Sequence, residues 1–215
     1  MFTGIIKGIG KVVACEKKGE ILSYTVQFPP HLLDGIELGA SVSIDGVCQT
    51  VVKIEHGQIW FDAIQETIER TSFKKMQIGQ LVNLERAALF GDEIGGHLLS
   101  GHISGIALIR TIENNVYTLS CPAHWMPYFF SKGFIALDGI SLTLSAVDKN
   151  QNSFTVHLIP ATLASTTLGQ KKVGDPVNIE IDAQTRAIVD TILSLKEGTR
   201  ACEHMICLIK KEKTR

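Results

Sequence analysis

The chain has 215 residues and a mass of 23.5 kDa, and its 21 Lys and Arg residues against 22 Asp and Glu residues give a net charge of −1. This balance argues against a nucleic-acid-binding protein, which normally carries an excess of basic residues. A content of 45% hydrophobic residues argues against wholesale disorder, and 19 glycines with only 7% aromatic residues indicate many tight turns between short strands.

Targeting segments and metal motifs are not indicated by the sequence. No stretch contains the roughly 20 consecutive apolar residues of a membrane-spanning helix. The N-terminal segment MFTGIIKGIGKVV lacks the basic-then-apolar order of a signal peptide. The five cysteines form no C-x-x-C pair, which argues against a zinc site and against a disulfide framework. We therefore expect a cytoplasmic protein with reduced thiols and no membrane association.

Short strands are predicted in chain order along the first half. Polar and apolar residues alternate over residues 23–28 and 58–63, which is typical of half-buried strands. The pair Asp45-Gly46 separates two further apolar stretches and is the strongest short signal for a two-residue hairpin turn. Residues 29–33 and 66–73 are predicted to form short helical turns between strands.

The second half of the chain repeats the first half. Gly4 recurs as Gly101 at an offset of 97 residues, and Asp45 recurs as Asp138 at an offset of 93 residues. Other residues match in the same order, with small changes of offset that loop insertions would produce. The sequence therefore predicts two homologous all-β domains, each a small closed barrel. The further matched pairs are Ile6 and Ile103, Gly8 and Gly105, Thr50 and Thr143, Thr67 and Thr162, and Glu85 and Glu180.

The two predicted barrels span residues 1–96 and 97–185, and residues 186–198 have no counterpart in the repeat. Apolar residues recur there at helical spacing, which predicts an amphipathic helix. Its apolar stripe could pack on its own domain or on another subunit. Residues 199–215 are predicted to form a flexible tail. The apolar residues of the helix are Ile188, Val189, Ile192, Leu193 and Leu195.

Candidate polar residues follow each hairpin turn. Ser141 and Thr143 lie two positions apart on a predicted strand, so their side chains face the same side. Their hydroxyls could bind a polar heterocycle in a pocket, whereas the alternative is a strand-favouring threonine beside a surface serine. Cys48 and Thr50 occupy the corresponding positions of the first half. Cys48 is either a nucleophile or a small apolar residue in a pocket wall.

A glycine- and histidine-rich stretch over residues 95–102 joins the two halves. The five-residue spacing of His97 and His102 fits neither a helical nor a strand metal site, and the stretch lacks the ending of a phosphate-binding loop. Its glycines indicate strained turns or backbone that runs close to a flat ligand. His102 is a candidate proton carrier or a structural residue. Lys132 is a further polar candidate, with a solvated lysine as the alternative.

Six segments of the sequence together resemble the riboflavin synthase family of the alpha-chain type, which consists of lumazine-binding tandem barrels. They are residues 1–5, 45–51, 95–102, 132–143, 157–163 and 178–182. The resemblance implies two six-stranded Greek-key barrels and a C-terminal helix that gathers three subunits. It also implies a catalytic site between the first barrel of one subunit and the second barrel of its neighbour.

The activity that this resemblance implies is a dismutation, the last step of riboflavin biosynthesis. One molecule of 6,7-dimethyl-8-ribityllumazine transfers a four-carbon unit to a second molecule, which yields riboflavin and 5-amino-6-(D-ribitylamino)uracil. The resemblance implies no cofactor, and it leaves open an association with lumazine synthase. The alternative is a non-catalytic lumazine- or flavin-binding protein of the same fold. Residues 95–102 and the Ser141 strand favour the enzyme, because binding proteins of this fold typically lose these features.

The resemblance also implies two substrate pockets and a set of catalytic candidates. The first pocket would comprise Gly4, Ile5, Ile6, Ser41, Cys48, Gln49, Thr50, Asp62, Ala63, Ile64, Gln65, Glu66 and Thr67. The second would comprise Gly101, His102, Ile103, Lys132, Ser141, Leu142, Thr143, His157, Leu158, Ile159, Pro160, Ala161 and Thr162.

Roles follow from the same resemblance. Ser141 and Thr143 would bind the heterocycle, and His102 and Cys48 are candidates for proton transfer or nucleophilic attack. Phe2 would pack over a substrate ring, and Asp138 would support the turn before Ser141. The departures from the family pattern are Gln49, Ala161 and Ser165.

Overall fold

The computed structural model describes residues 1–196, of which residues 1–182 form one compact unit built from two β-domains. The first domain contains β1 (Gly8–Lys18), β2 (Ile21–Gln27), β3 (Ser41–Ile44), β4 (Val47–Thr50), β5 (Lys53–Glu55), β6 (Gln58–Ala63), the helix α1 (Gln65–Arg70) and β7 (Leu81–Arg86). The second contains β8 (Gly105–Glu113), β9 (Val116–Ser120), β10 (Phe134–Leu137), β11 (Ile140–Asp148), β12 (Ser153–His157), the helix α2 (Pro160–Ser165) and β13 (Pro176–Ile181). Short 3₁₀ turns occupy Pro30–Leu32, Ser72–Lys75, Ala123–Tyr128 and Thr167–Gln170.

Both domains have the same strand order. The second is a closed antiparallel barrel in the order β10-β11-β12-β9-β8-β13, and the first is a sheet in the order β4-β3-β7-β1-β2-β6-β5. In the first domain β4 and β5 together replace the single strand β11, and Val51 and Val52 interrupt them. The main-chain N–H of Val52 donates to the carbonyl of Trp60 at 3.0 Å across this interruption. The predicted tandem all-β fold is therefore confirmed. Closure into a six-stranded barrel is found for the second domain, whereas the first domain, called the first barrel below, is a seven-stranded sheet because one of its strands is divided in two.

The two Asp-Gly pairs form the predicted hairpin turns. Asp45 and Gly46 have φ angles of 46° and 83°, and Asp138 and Gly139 have φ angles of 44° and 81°. A two-residue turn with positive φ at both central positions matches the right-handed twist of the flanking strands. The turns join β3 to β4 and β10 to β11, and the latter strand carries Ser141.

The leading segments of the two barrels are residues 1–7 before β1 and residues 97–104 before β8, and each of them packs on the other barrel. Ile6 precedes the first barrel but packs against the core of the second, whereas Ile103 packs against the core of the first. Where the segments pass each other, Phe2 and Leu99 form an antiparallel bridge through hydrogen bonds of 2.8 and 2.9 Å. The core of each barrel therefore includes a contact from the segment that leads into the other barrel. We expect the two barrels to unfold as one unit for this reason.

Buried asparagines join the barrels reciprocally. The side-chain amide of Asn83 donates to the carbonyl of Asp138 at 3.0 Å, and that of Asn178 donates to the carbonyl of Asp45 at 2.8 Å. Each asparagine main-chain N–H also donates to the aspartate carboxylate of its own barrel at 2.7 Å. Buried and fully hydrogen-bonded polar groups favour a single arrangement, so these bonds fix how the two barrels sit against each other.

The Asp45 carboxyl makes stability depend on pH. Burial, together with the nearby Asp138, raises its pKa from 3.8 to about 8, although Lys171 and the Asn83 N–H act in the opposite direction. The folded chain therefore retains a proton that the unfolded chain loses at lower pH, so the contribution of this group to stability falls as the pH rises from about 4 towards about 8.

Asp45→Asn should remove that pH dependence. Asparagine keeps an oxygen that accepts the Asn83 N–H but does not ionise, so the variant should gain stability relative to the wild type by up to about 1.4 kcal/mol per pH unit across this range. Urea unfolding at pH 5 and pH 8 measures the difference, with exposed Asp34→Asn as the control. Parallel pH profiles of the wild type and Asp45→Asn would contradict the assignment.

The helix α3 occupies residues 183–196 and belongs to a second compact unit. It begins three residues earlier than the predicted start at residue 186. Residues 197–198 of the predicted helix and the predicted tail over residues 199–215 lie outside the described residues. Of the helices described, none is both long enough and apolar enough to cross a membrane.

Candidate active site

A cavity of about 510 Å³ opens on the second barrel. Strand β11 contributes Ser141 and Thr143 to its wall, which agrees with the strand alternation that predicts a shared side for these hydroxyls. The other lining residues come from the linker between the barrels, from β10 and the loop before it, from β11 itself, from β12, and from α2 and the residue before it. They are Gly95, Gly96, Lys132, Phe134, Leu142, Ser145, His157, Ile159 and Thr162.

His97 forms a hydrogen-bonded pair with the cavity-lining residue Ser141. Its Nδ1 lies 2.6 Å from the Ser141 Oγ, and its ring stacks on Phe134 with 5.0 Å between ring centroids. The side chain is only 7% exposed, and its Nε2 has no hydrogen-bond partner among the described residues. Burial lowers the pKa of His97 despite the opposing effect of Asp182, which favours the neutral ring at neutral pH. With its proton on Nε2, the ring can accept the Ser141 hydroxyl proton at Nδ1.

Gly4 and Gly96 allow the main chain to pass close to Ser141. The main-chain N–H of Ser141 donates to the carbonyl of Gly4 at 2.8 Å. Gly4 has a φ of +76°, and a Cβ there would lie 2.5 Å from the Cβ of Ser141. A Cβ on Gly96 would lie 2.6 Å from the same Ser141 atom. Larger residues at either position would therefore displace the serine from His97.

The first barrel repeats this arrangement around Cys48. Its main-chain N–H donates to the carbonyl of Gly101 at 2.9 Å, and Gly101 has a φ of +79°. Gln49 is buried, accepts the Tyr24 hydroxyl at 3.2 Å and donates to the carbonyl of Cys48 at 2.8 Å. Gln49, one of the departures from the family pattern, therefore links the Tyr24 hydroxyl to the main chain of Cys48.

The predicted grouping of the leading segments needs correction. The resemblance implies that Gly4 and Ile6 belong to the first pocket, but both lie against the second barrel. Gly101 and Ile103, which it implies for the second pocket, lie against the first barrel. The repeat shows which residues correspond, but it does not show which copy they contact. Ile5 is partly exposed on the same crossing segment as Gly4.

The histidine beside Ser141 is His97, which the sequence prediction of site residues omitted. His102 is exposed, and its main-chain N–H donates to the Ser100 hydroxyl at 3.2 Å. The chain passes Ser141 at Gly96 and His97 and lies against Cys48 at Gly101, so His102 is beside the first barrel rather than beside the serine. The glycine directly before His97 was the available signal, because it indicates close backbone approach.

Phe2 is enclosed by protein. It is 1% exposed and packs with Leu99 and Ala136, beside the partly buried Cys48. Packing of Phe2 over a substrate ring, which the resemblance implied, is therefore not available in this structure. Asp138 lies in the turn before Ser141, and its carboxylate is completely buried.

The remaining predicted residues occupy varied positions. In the first half, Ser41 pairs with Thr50 across β3 and β4, and the exposed Asp62 accepts the Ser23 hydroxyl at 2.6 Å. Ala63 is buried, Ile64 is exposed, and α1 carries Gln65, Glu66 and Thr67. In the second half, Leu158 is a core residue, whereas Pro160 and Ala161 lie in α2 beside the cavity residue Thr162. Sequence reasoning missed the lining residues Gly95, Gly96, Phe134 and Ser145.

No cluster of three or more His, Cys, Asp or Glu side chains is arranged for metal binding within residues 1–196. The cysteines Cys15, Cys48 and Cys121 are free thiols. Burial raises the pKa of the Cys121 thiol to about 12.

The family described as "Lumazine binding domain" matches residues 3–87 and 100–182, which are the two barrels. The chain belongs to this family. It is 48% identical over 197 residues to the riboflavin synthase of Escherichia coli (strain K12), covering 89% of this chain and 92% of that one. It is 46% identical to the riboflavin synthase of Chlamydia pneumoniae, covering 89% of this chain and 95% of that one.

A solved structure has a similar fold. LumP complexed with 6,7-dimethyl-8-(1'-D-ribityl)lumazine superposes with a TM-score of 0.75 at 26% identity, covering 84% of this chain and 99% of that one. The chain is therefore similar both to riboflavin synthases in sequence and to LumP in structure.

Proposed function

We propose that the chain catalyses the dismutation of 6,7-dimethyl-8-ribityllumazine. One molecule transfers a four-carbon unit to a second, and the products are riboflavin and 5-amino-6-(D-ribitylamino)uracil, so the chain would act as a transferase. The 48% identity to the Escherichia coli riboflavin synthase supports this reaction. Within the structure, the observation that carries the proposal is the His97–Ser141 pair beside a cavity large enough for a bicyclic heterocycle.

The reaction needs a modest base and accurate orientation. The C7 methyl group of the lumazine is unusually acidic, because the carbanion left after proton loss delocalises into the ring. His97, neutral and hydrogen-bonded to the Ser141 hydroxyl, can accept this proton through the serine and return it later in the reaction. Thr143 lies on the same side of β11 and can bind the heterocycle. Holding two lumazines in reacting positions supplies much of the acceleration.

The second lumazine would bind at the first barrel beside Cys48. Cys48 and Ser141 occupy matching positions, and each receives a crossing glycine from the other barrel's leading segment. Two similar sites suit a reaction between two identical molecules. We place the complete catalytic site between the first barrel of one subunit and the second barrel of its neighbour in a homotrimer.

Several finer features belong to the same proposal. We propose that the protein acts in the cytoplasm, which suits its free thiols. We also propose that the first pocket contains Ser41, Gln49, Thr50 and α1, and that the second contains the described cavity. An association with lumazine synthase would bring the substrate's source close to this site.

Replacing Ile188 and Ile192 by Asp should dissociate the trimer. These side chains are 62% and 47% exposed in the single chain, and a trimer contact through α3 would bury them. Two carboxylates in an apolar contact carry a desolvation cost that the association would not offset. Light scattering should give the mass of one chain for the double variant and of three chains for Gln184→Asp. An unchanged mass would contradict the role assigned to the helix.

The reaction itself is tested with the purified protein and 6,7-dimethyl-8-ribityllumazine as the only reagent. We expect riboflavin to appear, detected by its absorbance and fluorescence after chromatographic separation. Tight binding of the lumazine without riboflavin formation would instead identify a non-catalytic binding protein, the alternative that the similarity to LumP supports.

A further inference from the structure

One ion pair breaks the correspondence between the two barrels. Lys171 places its Nζ 2.8 Å from the Oδ2 of Asp138. Its counterpart in the first barrel is Met76, because both residues follow matching 3₁₀ turns. The main-chain N–H of Met76 donates to the Phe73 carbonyl at 3.0 Å, and that of Lys171 donates to the Leu168 carbonyl at 3.2 Å. Asp45, the counterpart of Asp138, therefore has no lysine from the first-barrel turn.

The ion pair is buried and held at both ends. The side chain of Lys171 is 18% exposed and that of Asp138 is 0% exposed. Lys171 also donates to the carbonyl of Pro176 at 2.7 Å. The other carboxylate oxygen of Asp138 accepts the main-chain N–H of Asn178 at 2.7 Å. The Asp138 side chain is thus restrained through both of its oxygens.

This restraint lies three residues before Ser141. Asp138 is the first central residue of the hairpin turn that opens β11, and Gly139 packs against the opposite turn at Gly46. Only Gly139 and Ile140 separate Asp138 from Ser141, so a movement of Asp138 would also move the start of β11. The distance between the Ser141 Oγ and the His97 Nδ1, 2.6 Å, depends on where that strand begins.

We propose that Lys171 is a positioning residue for the dismutation, which acts through the Asp138 carboxylate to hold the Ser141 hydroxyl against His97. The inference rests on the proposed function of the site. The lysine makes the second-barrel hairpin the more restrained of the two, and thereby fixes the proton-transferring pair. Displacement of a reacting group by about 1 Å can lower a rate about 10²-fold, so this restraint affects turnover rather than affinity.

Lys171→Met tests the proposal, because it gives the second barrel the residue type that the first barrel has at the matching position, Met76. We expect kcat to fall at least tenfold, with KM and the Kd of riboflavin changed less than threefold. Lys171→Arg should restore part of kcat, because it keeps a cation near Asp138. Lys172→Met, at the adjacent exposed position, serves as the matched control and should keep wild-type kcat. A kcat for Lys171→Met within twofold of the wild type would overturn the proposal.

A double-variant comparison separates positioning from general weakening of the fold. In a Ser141→Ala background Lys171→Met should lower kcat no further, since the residue acts through Ser141. An equal fall in both backgrounds would overturn the proposal. If Lys171→Met does not fold, Lys171→Met with Asp138→Asn removes the unpaired carboxylate charge, keeps an acceptor for the Asn178 N–H, and should show the same loss of kcat.

Nitrogen NMR of the His97 imidazole gives a readout that does not require turnover. Its Nδ1 resonance should shift in Lys171→Met and stay unchanged in Lys172→Met. A shift in a protein that makes no riboflavin would refute the proposed function alone. An unchanged His97 resonance in an active enzyme would refute the positioning role alone.

Discussion

Replacing Ser141 by alanine should lower kcat about 100-fold or more while changing the free energy of unfolding by only about 1 kcal/mol. The hydroxyl is the partner of the His97 Nδ1 at 2.6 Å, and it lines the cavity rather than a barrel core. Its loss removes the group that we propose transfers the methyl proton to His97, which affects turnover. The loss of stability is small, because only one hydrogen bond is broken. Steady-state riboflavin formation and urea unfolding measure the two effects separately.

A second variant tests whether Ser141 and His97 act together. His97→Gln should lower kcat by a similar factor, and the double variant should be little worse than either single variant, because groups that act as one unit are not additive. In the wild type, the acid limb of the kcat profile should lie below pH 6.5, since burial lowers the pKa of His97 from that value. Wild-type turnover in Ser141→Ala would contradict the assigned mechanism.

Replacing Gly4 by alanine should destabilise the protein by about 2–5 kcal/mol and also reduce turnover. The φ of +76° is unfavourable for alanine, and the new Cβ would lie 2.5 Å from the Cβ and 2.9 Å from the main-chain N of Ser141. The crossing segment would have to move away from β11, which would break its hydrogen bond to the Ser141 N–H. The displaced serine would then no longer meet His97.

Gly19 provides the matched control for this prediction. It has a φ of +63°, but a Cβ there would meet nothing within 4 Å. Gly19→Ala should therefore lose only the about 1–2 kcal/mol of backbone strain and keep full turnover. Equal losses of stability in the two variants, measured by urea unfolding, would show that close contact with Ser141 does not matter.

Much of the fold was predictable because local signals agreed with the repeat. The Asp-Gly pairs at residues 45 and 138 predicted both hairpin turns, and the alternation of Ser141 and Thr143 placed both hydroxyls on the cavity wall. Residues 51 and 52 interrupt the strand that continues as β11 in the second barrel, and the sequence gives no turn residue there to predict this.

The exchange of the leading segments could not be predicted from the repeat. The two segments are nearly equivalent in sequence, with Gly4 and Ile6 matching Gly101 and Ile103, so either segment could pack on either barrel by local preference alone. Only the packing between the barrels decides the outcome. His97 was missed for a related reason: it lies just before the repeated segment and has no counterpart in the first half.

The stoichiometry of the reaction tests the central claim most directly. The purified protein should consume 6,7-dimethyl-8-ribityllumazine with no other reagent, and each riboflavin formed should be matched by one 5-amino-6-(D-ribitylamino)uracil and the loss of two lumazines. Quantitative chromatography of a single reaction measures all three compounds. Lumazine that is bound but not converted, or riboflavin formed without the uracil, would contradict the dismutation.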